Sequence, residues 1–249
     1  MERPYVGITG FMSGDEVTIV LGAMPKLRHA LMVGVLASDK TLNGMPSDYP
    51  NRYPKIQDIA AIFVDDPRVL NLVHYHAKYL DALERQLEEI VAHGGPHLHG
   101  IQLNLDEPPL RLLQAFKVRH PDQKLVIQAN HSMFRRADYS PQRLARKAAA
   151  YASVAEYLMF DLSGGNGMRC SSDMLRNFVV AMKAEKVPMQ LGISGGFGVY
   201  TLHTVKQLLR EYPDLSIDAE RRLRTDDDHL DTDLAVEYLQ RAARCLAAE

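Results

Sequence analysis

The run Tyr157-Leu-Met-Phe-Asp161 ends on an acid and passes directly into Leu162-Ser-Gly-Gly-Asn-Gly167. A short apolar segment stopped by glycines reads as a buried strand followed by a tight turn. The same unit recurs in both directions. Upstream lie Leu125 to Ala129, His99 to Asn104, Ile59 to Val64, Ala30 to Leu36 and Tyr5 to Thr9; downstream lie Met189 to Ile193 and Leu215 to Asp218. Each run leads into a polar or glycine-bearing turn and then apolar residues at helical spacing, the alternation of a parallel sheet. About eight strands predict a single (β/α)8 TIM barrel, which closes at that number. A doubly wound open sheet is the rival, but its Gly-x-Gly-x-x-Gly turn is absent after Ile8.

Helices fill the intervals. Leu72, His76, Leu80, Leu83, Leu87 and Ile90 fall three or four apart and predict one long helix that stops at Gly94 and Gly95. Ser140-Pro141 reads as N-cap and first helical residue before Arg143 to Tyr151, and Asp231 caps a last helix through Leu234, Leu239 and Leu246. Residues 38–58 contain Asn-Gly and several prolines and predict a long loop over the barrel mouth.

The 249 residues are 46% hydrophobic and 24% charged, with no repeat or low-complexity tract, so one domain spanning 1–249 is expected. A net charge of −2 gives no positive field to gather a polyanion. Cys170 and Cys245 are too few for a disulfide framework and too far apart for a metal knuckle, which points to a reducing cytoplasm. No apolar stretch approaches membrane-spanning length, and the first residues lack an export signal's apolar core. The expected partners are a small anionic substrate and a second copy in a homodimer, with neither nucleic acid nor membrane and no cofactor.

A TIM barrel collects its chemistry at the carboxyl ends of its strands. Those ends offer Thr9; Ser38, Asp39 and Lys40; Asp65 and Asp66; Asn104 and Asp106; Asn130 and His131; Asp161 with Ser163; Ser194; and Glu220 with Arg221. A single polar residue there is as often a helix cap or a solvated loop group. Two glycine clusters stand out. Gly164, Gly165 and Gly167 follow strand six; Ser194, Gly195 and Gly196 follow strand seven. Residues without a Cβ let backbone N–H groups approach an oxyanion, so these positions, with Arg221, are the expected phosphate-binding set.

These residues resemble the phosphoribosylanthranilate isomerase family of tryptophan biosynthesis. Gly7-Ile8-Thr9, Gly100-Ile-Gln-Leu-Asn-Leu-Asp106-Glu107, Phe160-Asp161 with its glycine loop, and Ile193-Ser-Gly-Gly196 follow that family's landmarks in order. The resemblance implies a barrel that opens a phosphorylated aminoaldose and isomerises it to an aminoketose. It assigns Asp161 as general acid. The family's general base, a cysteine at the end of strand one, aligns with Val6, which cannot exchange a proton. Strand eight departs too, because Asp218-Ala219-Glu220-Arg221-Arg222 brings a carboxylate where the family seats phosphate. Asn51-Arg52-Tyr53-Pro54 is similar to the arginine that grips the anthranilate carboxylate, in altered spacing.

A replacement base must come from another strand end, and His131, Asp39 and Glu220 are competent. Histidine is the side-chain type suited to proton exchange near neutrality, which makes His131 the first choice. No metal is expected. His74 and His76 fall in the predicted helix, where a spacing of two separates them, and His97 and His99 fall at the amino end of strand four. Asp226, Asp227 and Asp228 are expected to favour the positive end of the last helix. The preferred function is acid–base isomerisation of a small anionic, sugar-phosphate-type substrate. The alternatives are authentic phosphoribosylanthranilate isomerase with a substituted base, and a silent metabolite-binding or oligomerising barrel whose mouth the 43–53 loop would plug.

Overall fold

The computed structural model describes residues 2–77, 80–161 and 171–247. Eight parallel strands close in sequence order: β1 (Tyr5–Thr9), β2 (Ala30–Ser38), β3 (Val69–His76), β4 (Gly100–Asn104), β5 (Lys124–Ala129), β6 (Tyr157–Asp161), β7 (Gln190–Ser194) and β8 (Ser216–Ala219). Between and after them run α1 (Gly14–Gly22), α2 (Asp39–Leu42), α3 (Ile59–Ile62), α4 (Leu83–Gly94), α5 (Leu110–Arg119), α6 (His131–Arg136), α7 (Pro141–Ala149), α8 (Ser172–Ala184), α9 (Lys206–Glu211) and α10 (Thr232–Leu246). This is the (β/α)8 barrel that the alternation predicts. No helix among the described residues is long and apolar enough to cross a membrane.

Strand parity sorts the core into two layers. Tyr5, Met32, Leu70, Leu72, Val126, Tyr157 and Met159 form the apolar filling inside the barrel. Residues one step out of phase, such as Val6, Ile8, Val33, Val73, Ile127 and Phe160, belong to the larger cluster shared with the helices. A one-residue shift of frame therefore exchanges lumen for outer layer. Above the filling, the inward positions turn polar, and that change of composition makes the site.

The caps follow the sequence reading. Ser140 accepts from the Arg143 N–H with Pro141 at the first helical position, Asp231 accepts from the Leu234 N–H, and α4 gives way to Gly95 at φ 71°. The third βα unit differs from expectation. Ile59–Ile62 is a helical turn that buries Ile59 and Ile62 on one face, and the strand is Val69–His76. A short apolar run is ambiguous between buried helix and buried strand, and the two alanines in Ile59–Ile62 tip it towards helix. The stripe begun at Leu72 straddles a strand and a helix, so its regular spacing up to Leu83 is coincidental. Asp65 and Asp66 consequently lie before β3, at the amino end of the barrel, where Asp66 holds Arg68. Asn71, in mid-strand, uses its amide to tie down the carbonyls of Val64 and His97, each at 2.9 Å.

β4 and β5 approach so closely that a Cβ on Gly100 would stand 2.1 Å from the Lys124 carbonyl oxygen. Backbone cannot yield as a side-chain tip can. Gly100→Ala is expected to lose about 1–3 kcal/mol of stability, the scale of overpacking, in urea unfolding; an unchanged midpoint would contradict this close approach.

Candidate functional site

The carboxyl-terminal mouth contains a narrow throat of about 50 Å³ beside a cavity of about 570 Å³. His74, Glu220 and Arg221 line both. The throat is further lined by Gln102, Gln128, Asp161, Ser194, Gly195, Gly196 and Asp218. The larger cavity extends beneath the loop after α2, with Tyr49, Arg52 and Tyr53 on that wall and His76 and Asn104 on the strand side. The 43–53 loop thus forms a wall of this cavity and does not fill it.

Asp218 is the most perturbed acid of the throat. Burial raises its carboxyl to about 8, with further upward pushes from Glu220 and Asp161 and a partial offset from Thr9. The Thr9 hydroxyl reaches its two oxygens at 3.1 and 3.2 Å. Asp218 is therefore a protonated acid at neutral pH. Asp161, also buried, accepts from Gln128 Nε2 at 2.8 Å, and Gln128 Oε1 accepts from Gln102 Nε2 at 3.1 Å. Burial lowers the pKa of the His74 imidazole against the raising charges of Glu220 and Asp161, so its ring is neutral at physiological pH.

Glu220 does not stand alone beside the glycine turn. Arg52 Nη1 meets it at 2.8 Å, while Arg52 Nε donates to Asp228 at 3.0 Å and Nη2 to the same carboxylate. Burial works against the Arg52 charge, but Asp228 and Glu220 outweigh it and raise its pKa. The repulsion that a bare Glu220 would exert on an anion is therefore reduced. Burial, then the Glu220 charge, pushes the neighbouring Tyr53 hydroxyl up to about 12. Asp228, expected to serve the last helix, serves this clamp; Asp231 caps α10.

The sequence-predicted residues separate into groups. Asp161, Ser194, Gly195, Gly196 and Arg221 converge on the throat. Gly195 and Gly196 adopt φ of 128° and 70°, a backbone region that favours glycine, and Thr201 fixes their turn by donating to the Gly196 carbonyl at 2.8 Å. Arg221 makes no ion pair with a described residue. Gly164, Gly165 and Gly167 lie outside the described residues. His131 is exposed on the first turn of α6, its Nε2 3.2 Å from the Tyr139 hydroxyl, and lines neither cavity. Asp39 lines the larger cavity and accepts from Tyr75 Oη at 3.2 Å and from Gln86.

Two expectations need correction. Val6 belongs to the outer layer beneath the helices, so no side chain at that position would face the mouth. The inward position is Gly7, where a Cβ would come within 2.7 Å of Asp218 Oδ1. His74 and His76 lie on β3, where a spacing of two puts both on the inward face, rather than on a helix. No cluster of three or more His, Cys, Asp or Glu suited to a metal is present among the described residues. His99, at the amino end of β4, accepts from the Asn71 N–H at 2.8 Å.

His74, Gln102, Gln128 and Asp218 are the throat residues that sequence reasoning passed over. Their signal was parity: each stands two residues from another inward position of its strand, His74 from Leu72, Gln102 from Gly100, Gln128 from Val126 and Asp218 from Ser216.

Neither a known family model nor a curated protein sequence matches the chain. Solved barrels do match its fold. Phosphoribosylanthranilate isomerase in complex with reduced 1-(o-carboxyphenylamino)-1-deoxyribulose 5-phosphate gives a TM-score of 0.64 at 15% identity, over 97% of this chain and 99% of its own. Monomers of the dimeric phosphoribosylanthranilate isomerase from Thermotoga maritima give 0.63 at 14%, over 96% and 98%. A Rubisco-like protein from Rhodopseudomonas palustris gives 0.60 at 14%, over 100% of this chain and 66% of its own. At such identities the likeness establishes the barrel alone. The chemistry must be argued from this chain's side chains.

In the unfolded chain Asp218 ionises near 3.8, whereas the folded protein holds its proton to about 8. Between those values the native state binds the extra proton, so this group's contribution to stability falls as pH rises through that window. The stability of wild type relative to Asp218→Asn is expected to fall by on the order of 3 kcal/mol from about pH 5.5 to about pH 8.5, measured by urea unfolding at each pH. A pH-independent difference would show that Asp218 is not protonated in the fold.

Proposed function

We propose that the mouth is an acid–base site that isomerises a small anionic substrate of the sugar-phosphate type. The observation that carries this reading is the pair of buried carboxyls on β6 and β8, one of which holds its proton at neutral pH. Two acids whose surroundings differ can divide the roles of donor and acceptor. Asp218 is then the donor and Asp161 the acceptor, the reverse of the role that the resemblance implies for Asp161.

For an aminoaldose the steps balance as follows. The Asp218 carboxyl protonates the ring oxygen as the nitrogen lone pair at C1 breaks the C1–O bond, leaving a C1–N iminium. Asp161 removes the C2 proton to give a neutral enamine. The Asp161 carboxyl, whose proton exchanges with water while the enamine is held, protonates C1, and the C2 hydroxyl proton passes to the Asp218 carboxylate as the C2 ketone forms. Both acids regain their starting states. The glycine turn at Gly195 and Gly196, with Arg221, supplies the seat for the anionic group. Arg52 supports this by neutralising part of the Glu220 charge beside it. The fold neighbour that holds a reduced deoxyribulose 5-phosphate derivative supports the same substrate class.

Deuterium incorporation at C1 and C2, followed by NMR in heavy water, tests the reading across phosphorylated aldoses and aminoaldoses, phosphoribosylanthranilate included. Wild type is expected to exchange at least one of them, and Asp161→Asn and Asp218→Asn to slow that exchange by about 10²–10⁴-fold. His131→Ala is expected to leave it unchanged. Absence of exchange with every compound, or full activity in either Asn variant, would overturn the assignment.

A further inference from the structure

His74 Nδ1 and Gln102 Oε1 are buried in the throat with no hydrogen-bond partner. The residues are only 7% and 1% exposed, and an unmet polar atom at such depth is costly. They are Cα partners in the register of β3 and β4, so their side chains stand side by side about 5 Å apart at the backbone.

The identity of the Gln102 atom follows from the chain of hydrogen bonds anchored on Asp161. A carboxylate accepts, so Gln128 must present its NH2 to Asp161 and its Oε1 to Gln102 Nε2. The carbonyl end of Gln102 is what remains. The His74 ring is neutral and its Nδ1 has no hydrogen-bond partner, so with the hydrogen on Nε2, Nδ1 presents a lone pair beside Gln102 Oε1. The throat thus presents two acceptors next to each other and close to the acid pair. A matching ligand brings two donors on neighbouring atoms.

We propose that His74 and Gln102 form a hydroxyl-recognition subsite that takes two neighbouring hydroxyls of a sugar chain. This rests on the reading that a sugar-type substrate enters the mouth, and it adds the feature by which such a substrate is told from a deoxy analogue. A site built around unpaired acceptors rejects a ligand lacking the matching donor, because the acceptor then stays buried and unmet.

Calorimetric binding tests it without turnover, using glucose 6-phosphate, 2-deoxyglucose 6-phosphate, 3-deoxyglucose 6-phosphate and inorganic phosphate. Every neighbouring pair among the first four carbons includes C2 or C3. At least one deoxy sugar is expected to bind wild type about tenfold more weakly than glucose 6-phosphate. His74→Phe and Gln102→Leu are expected to erase that penalty while binding inorganic phosphate as wild type does, and His74→Gln, which restores an acceptor, to recover it. Equal binding of all three sugars to wild type, a penalty that survives in both variants, or sugar binding no tighter than inorganic phosphate would overturn the proposal; the last two outcomes leave the acceptors to water. A clear hydroxyl preference without deuterium exchange would refute the isomerase reading alone.

Discussion

Closing eight strands leaves a fixed set of inward positions, and a side chain placed deep among them loses its water. The lower positions meet that constraint with apolar side chains such as Leu70, Leu72 and Met159. The upper ones do not. Thr9, His74, Gln102, Gln128, Asp161 and Asp218 are polar and nearly inaccessible, so each must bond to a neighbour, change its protonation or remain unmet. Gln128 and Asp161 bond, Asp218 keeps its proton, and His74 stays neutral with one nitrogen bare. The chemistry of the mouth comes from these different responses to a single desolvation.

Much of the barrel was legible because its signals are local. Strands such as Tyr157–Asp161 are short, apolar and bounded by turns, and the caps at Ser140 and Asp231 depend on residues a few positions apart. The third unit was less legible because both Ile59–Ile62 and Val69–His76 bury apolar residues, and periodicity alone does not separate a buried strand from a buried helical turn. That single misreading hid His74, since the parity of an inward strand position has no meaning on a helix.

The candidate site was legible where position on a strand end was enough, as for Asp161 and the Ser194 to Gly196 turn. It was hidden where the contact is long-range. Arg52 reaches Glu220 and Asp228 from 168 and 176 residues away, and no local pattern announces such a pairing. Val6 shows the limit of matching letters: adjacent residues of one strand face opposite layers, and the matched position faces the helices.

Arg224 occupies the space that a side chain at Gly10 would need and donates to the carbonyls of Gly10 and Asp228, at 3.0 and 2.8 Å. It also reaches the Asn51 carbonyl, at 3.4 Å. One guanidinium thereby ties together the segments that follow the first, second and eighth strands. Barrel enzymes are commonly regarded as scaffolds whose connections can be exchanged one at a time. In this chain those three form a single inheritable block, to be transplanted together or left alone.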